Sequence, residues 1–140
     1  MGLDNGILIR PRNNKIKVPK RIEKLTYAVP GGIYEVAYWR RYWALRGDIM
    51  EHVPKEEEKL EGFGSVYRIA DKASLESIYK IVKNVYKNPK NFRESNADYW
   101  WFGTWHYFKF NIWQGIKMIR NIKWAIKHFE NVEVFFYDSY

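Results

Sequence analysis

The 140 residues suffice for one hydrophobic core, and a content of 46% apolar and 19% aromatic residues excludes the disordered and low-complexity classes. The lack of cysteine excludes disulfides, thiolate metal sites and a cysteine nucleophile. A formal net charge of +8 favours phosphate-bearing partners, although charge that serves solubility alone is an equal reading.

The opening MGLDNGILIR has too short an apolar stretch for a signal peptide, and no segment reaches the roughly 20 apolar residues that span a bilayer. A soluble cytoplasmic protein with no membrane partner is expected. The charge is unevenly placed. Arg10, Arg12, Lys15, Lys17, Lys20, Arg21 and Lys24 load the first quarter, while Glu56, Glu57, Glu58 and Glu61 form an acidic island.

In chain order, Asp4-Asn5-Gly6 reads as a tight turn, and 6–10 as a β-branched strand bounded by Pro11. Residues 15–18 alternate polar and apolar and are expected to form an edge strand that Pro19 stops. After the turn signal VPGG at 29–32, residues 33–37 read as another strand. Over 38–53 the period changes: Trp39, Tyr42, Trp43, Ile49, Met50 and Val53 recur at three- and four-residue steps, which predicts a helix ended by Pro54. A strand is expected at 64–69. Next, Leu75, Ile78, Tyr79, Val82, Val85 and Tyr86 follow the helical period, with Asp71 or Ser74 as N-cap and Asn88-Pro89 as the stop. The last helix is expected from Asn111, with Gln114 closing a capping box, to His128 or Phe129. Residues 131–137 then form a strand buried on both faces from Val134 onward. The sum is a single α+β domain over 1–140, a small mixed or antiparallel sheet covered by about three helices.

The segment YWWFGTWHYFKFNIW at 99–113 is aromatic at nine of fifteen positions. A small domain without disulfides needs such side chains for its core, each burying about 150 to 250 Å². Self-association or direct stacking on a ligand uses the same residues, and these readings stay open. Along the following helix, Ile112, Gly115, Ile116, Met118, Ile119, Ile122, Ala125, Ile126 and Phe129 make an apolar face. Trp113, Lys117, Arg120, Trp124 and Lys127 fall in one line on the other. Two indoles and three cations in line suit bases and phosphates, as in proteins that grip single strands or nucleotides. The competing reading is a solvated face whose tryptophans meet another part of the chain or a second subunit.

No reaction is named by a motif. His52, His106 and His128 stand apart, and there is no P-loop, dinucleotide fingerprint or nucleophile elbow. Asp4, Asp48, Glu51 and Asp138 are the acids that a Mg²⁺-dependent nuclease would have to bring together, which scattered carboxylates in a small domain rarely do. No enzyme activity and no cofactor are expected.

The start MGLDNGILIR, the segment EVAYWRRYWALR at 35–46 and the end NVEVFFYDSY at 131–140 together resemble a group of small phage and prophage proteins. These proteins share an MGLDNGI-like start, a central YWRR- or YWRK-like segment and an FYDSY end. The resemblance implies a context, the cytoplasm of an infected or lysogenic bacterium, and a mode of action by binding, often against a host defence. Within the matching pieces, Trp39, Arg40 and Arg41 are expected where a strand passes into a helix, with Arg46 further along the same helix, an arrangement suited to an anion. The alternative puts the tryptophans in the core and pairs the arginines with Asp48, Glu51 or Asp138. The expectation is a non-enzymatic binding protein for an anionic, base-bearing partner, a nucleotide immune signal or a nucleic acid. Its rival is an inhibitor that covers a host defence protein with an aromatic patch. A third reading is an internal structural or assembly protein of the particle, against which the compact single-domain pattern argues, and a homo-oligomer is compatible with all three.

Overall fold

The computed structural model describes residues 4–13, 15–26, 31–40, 49, 51–53, 58–59, 66–87 and 105–139. The strands are β1 (Asp4–Pro11), β2 (Glu23–Thr26), β3 (Ile33–Arg40), β4 (Glu58–Lys59), β5 (Val66–Ile69) and β6 (Val132–Ser139). Two helices, α1 (Lys72–Lys87) and α2 (Trp105–Lys127), precede a 3₁₀ turn at Phe129–Asn131. The strands form one antiparallel sheet in the order β2-β3-β1-β6-β5-β4. The architecture is α+β.

Apolar alternation decides the two faces of the sheet. Ile7, Ile9, Val36, Val134 and Phe136 join Leu75, Ile78, Val82 and Tyr86 of α1 and Met118, Ile119, Ile122 and Ala125 of α2 in the main core. Leu8, Ile33 and Phe135, one residue out of phase, form a smaller buried cluster with Tyr137 at its margin. The centre of β6 is therefore buried on both faces, as its unbroken apolar run predicts. A bulge between β1 and β3 pairs Ile7 with Ala37 and Leu8 with Glu35, so Val36 is the extra residue, and both Val36 and Ala37 reach the main core.

The helices cross closely because Gly115 of α2 lies against the ring of Tyr86, which is only 1% exposed. The Asp71 carboxylate accepts the Ser74 backbone N–H at 2.7 Å, which makes Asp71 the cap of α1. Two glycines, Gly31 and Gly32, enter β3 with φ of 81° and 79°, a conformation that favours glycine.

Several expectations are corrected. Asp4-Asn5-Gly6 is strand rather than turn, since β1 is paired on both sides from Asp4 onward. Gly6 belongs there because a Cβ would lie 2.6 Å from the Ala37 carbonyl oxygen and 2.7 Å from Cε1 of Tyr137. Residues 15–18 form no strand; Ile16 and Val18 pack on the core while Lys15 and Lys17 face solvent, so their alternation records one-sided burial without pairing. The edge strand is instead β2. Strand β3 runs through Tyr38, Trp39 and Arg40, where the helix was expected to begin; of 41–53, Ile49 is helical, 51–53 form a turn, and the remainder lies outside the described residues. Helix α2 starts at Trp105, six residues before the expected cap at Asn111, so Asn111 is interior and the capping box does not form. Two long helices lie among the described residues, and most of the third expected helix, over 38–53, lies outside them.

Candidate functional site

The outward face of α2 is fixed by what its inward face buries. With Gly115, Met118, Ile119, Ile122 and Ala125 inside, Trp113, Lys117, Arg120 and Lys127 come to lie in solvent, with Trp113 63% exposed. From Trp113 to Lys127 the line is about 21 Å long at 1.5 Å per residue. Trp124 departs from the expected stripe. It is half-buried against the margin of the main core, with its ring 4.8 Å from that of His128. The line therefore offers one solvent-facing indole and three cations. Ile116, expected on the buried face, is 38% exposed beside Trp113.

Two cations flank this line that the spacing argument did not single out. Lys123 is exposed on the same side of α2. Arg21 is held next to the helix, its Nε donating to Oδ1 of Asn121 at 3.0 Å, while Nδ2 of Asn121 donates to the Val36 carbonyl at 3.3 Å. Asn121 is 3% exposed, and its two hydrogen bonds satisfy the buried amide and tie α2 to Arg21 and to β3. A polar residue at a core position in an otherwise apolar helical face was the available signal for this anchor.

Two carboxylates of the sheet face each other. Glu35 lies directly across from Glu23 in the β2–β3 ladder. Partial burial raises the Glu35 pKa above its ordinary value, the Glu23 carboxylate raises it further, and the Lys117 ammonium opposes both. On the same face, Nε of Arg10 donates to the Glu133 carboxylate at 2.8 Å, and the Arg10 guanidinium stands 5.9 Å from the Phe135 ring centroid. Among the described residues, no group of three His, Asp or Glu side chains is placed to hold a metal ion.

The second set of candidate residues is gathered by strand pairing. Asn5 of β1 stands between Trp39 of β3 and Asp138 of β6, and Asp4 stands between Arg40 and Ser139. Trp39 and Arg40 are thus at the end of a central strand, and the residues that follow, 41–48, lie outside the described residues. Arg41 and Arg46 lie outside the described residues. The Tyr38 backbone N–H donates to Sδ of Met118 at 3.3 Å, which sets α2 directly over this part of β3.

Compared with known protein families, characterised proteins and solved structures, the chain shows no match. No described helix is long and apolar enough to cross a membrane.

Proposed function

We propose that this protein acts by binding, without a reaction of its own, and captures an anionic, base-bearing partner on the outward face of α2. The observation that carries the reading is the exposed line of Trp113, Lys117, Arg120 and Lys127, which joins one indole face to three cations along a single rigid element. The partner is a nucleotide signal of a defence system or a single-stranded nucleic acid, met in the cytoplasm of a bacterial host; the phage-like start, centre and end supply that context.

Fluorescence anisotropy with a labelled oligonucleotide and with labelled nucleotides tests this directly. The charge-reversed Lys117→Glu/Arg120→Glu protein should bind the labelled partner at least about tenfold more weakly, with an unchanged circular dichroism spectrum. Equal affinity of the two proteins would remove the face from consideration. Incubation of a phosphodiester substrate with Mg²⁺ or Mn²⁺ should leave it intact.

A second reading rests on Trp113 and Ile116, which lie one turn apart and are both exposed. An indole, an aliphatic side chain and a flanking arginine are the anchors of protein interfaces, and here they fit an inhibitor that blocks a host defence protein. Native mass spectrometry on the protein purified from a lysate with an active defence system separates the two. An added nucleotide mass favours the first reading; a bound defence protein, released by Trp113→Ala, favours the second.

A further inference from the structure

At the end of α2 the chain turns through Phe129–Asn131 into β6, and this turn is bonded to the segment that follows β1. The Arg12 backbone N–H donates to the Asn131 carbonyl at 2.8 Å, and Nδ2 of Asn13 reaches Oδ1 of Asn131 at 3.4 Å. Beside it lies an open cleft of about 650 Å³ walled by Arg12, Asn13, Ile16, Lys17, Gly31 and Tyr34. None of the residues aimed at by the expected stripe takes part in it.

We propose that this cleft is an oxyanion site that takes a phosphate group. Among the described residues its walls carry two cations, Arg12 and Lys17, and no carboxylate. The Lys24 ammonium stands 5.6 Å from the centroid of the Tyr34 ring behind this wall. Arg12 is oriented rather than loose: its Nε donates to the Val132 carbonyl at 3.1 Å, which leaves the terminal guanidinium nitrogens as the donors for an anion. The turn below is held by the Lys15 backbone N–H on Oδ1 of Asn13 at 2.9 Å. Gly31 keeps the opposite wall low, since its φ of 81° disfavours a side chain and a Cβ there would lie 3.3 Å from the Pro11 carbonyl oxygen. Lys17, exposed and with no hydrogen bond or ion pair among the described residues, is available to close over a bound anion.

The volume admits more than a lone phosphate, so the group is carried either free or on a nucleotide. Isothermal titration calorimetry with inorganic phosphate, pyrophosphate and adenosine diphosphate separates these sources: similar affinities mean that the phosphate is the whole ligand, and a preference for the nucleotide means that the rest of the cleft is used. The decisive variant is Lys17→Glu, with Lys15→Glu as a control of equal charge outside the cleft and Lys117→Glu as a control on α2. The expected result is saturable binding that weakens at least about tenfold in Lys17→Glu and stays within about twofold in both controls. Absence of saturable binding of all three probes at about 10 mM overturns the proposal, as does an equal loss in Lys15→Glu, which would mark general attraction of anions to a basic surface. The site and the α2 face fail separately. Loss of oligonucleotide binding in Lys117→Glu/Arg120→Glu bears on the helix alone, and loss of phosphate binding in Lys17→Glu on the cleft alone.

Discussion

Replacing Gly115 with alanine should destabilise the protein, although the same change at an exposed helical position would stabilise it. Glycine in a helix interior costs about 1 kcal/mol relative to alanine, so propensity alone predicts a gain of that size. Against it stands the Tyr86 ring. A Cβ on residue 115 would lie 2.6 Å from Cε1 of Tyr86 and closer still to Cδ1 and Cγ, whereas carbon atoms rest at about 3.5 to 4.0 Å. Tyr86 is 1% exposed and surrounded by core, so the ring has no open space to enter and the helices must separate. Overpacking of this kind costs about 1 to 3 kcal/mol, and a displacement of about 1.5 Å across a helix pair places the cost at the upper end. The net expectation is a loss of about 2 kcal/mol, read as a lower urea midpoint at constant slope. The partner variant Tyr86→Ala empties the space at a cost of about 3 to 5 kcal/mol, and in that background Gly115→Ala should be neutral or stabilising. The double-mutant cycle should therefore show a coupling of about 2 to 3 kcal/mol. A raised midpoint for Gly115→Ala alone, or simple additivity with Tyr86→Ala, would refute the close crossing of the two helices.

Three further outcomes follow from the caps and the carboxylates. Asp71→Ala should cost about 1 kcal/mol at neutral pH through loss of the bond to the Ser74 N–H. That same bond lowers the Asp71 pKa, so its contribution is present above the ordinary value of 3.8 and is lost as pH falls through the depressed one; urea midpoints of the two proteins should converge in acid. Glu35 has the opposite sign: its pKa is raised, so the fold favours the protonated form, and the advantage present below 4.5 disappears as pH rises through the raised value. Glu35→Gln should accordingly be more stable than the parent at neutral pH and indistinguishable from it in acid, while a less stable Glu35→Gln at neutral pH would contradict the burial argument. Glu133→Ala, which removes the half-exposed cross-strand partner of Arg10, should cost less than about 1 kcal/mol in thermal denaturation, the ordinary value of a surface pair.

Much of this architecture is legible in the residues, and the failures share a cause. Helix α1 is read in full because Leu75, Ile78, Val82 and Tyr86 repeat at one period and a capping side chain precedes them. Strand β6 is read because a short unbroken apolar run has only a two-faced burial to explain it. The start of α2 is missed because aromatic residues at 105–110 fill both faces of any strand; the helical series Trp105, Phe108, Ile112, Gly115, Ile119, Ile122 and Ile126 was there to be followed through Asn111. Asn111 looks like a cap, yet one asparagine inside a long helix costs less than about 1 kcal/mol, which tertiary packing overrides. The end of β3 is missed for the complementary reason. Trp39, Tyr42 and Trp43 have helical spacing, but through Trp39 and Arg40 the backbone is claimed by β1, whose own first residues need partners on both sides. Pairing between strands distant in sequence has no local signature. The same limit applies to the cleft, where residues 11–18 meet Gly31 and Tyr34 only through the fold.

The three segments that carry the resemblance come together as neighbours, β3 and β6 flanking β1, and they do so in register at the end where Asn5 meets Trp39 and Asp138. Helix α2 runs along the same strand β3, with Met118 at Tyr38 and Asn121 at Val36. Its early turns therefore point toward the finishing end of β3, and its last turn leads by way of Asn131 to the cleft of Arg12 and Lys17. The exposed line from Trp113 to Lys127 between these ends extends over about 21 Å, longer than one nucleotide reaches. Ligand size thus has a measurable consequence. A strand lying along α2 engages several phosphates, and its affinity falls steeply with salt, by about 0.7 in the logarithmic slope for each phosphate neutralised. A single nucleotide engages one end and shows a shallow slope. The salt dependence of the wild-type protein consequently distinguishes a strand-binding face from a nucleotide site before any residue is changed, and the charge-reversed variants then assign the contacts to helix or cleft.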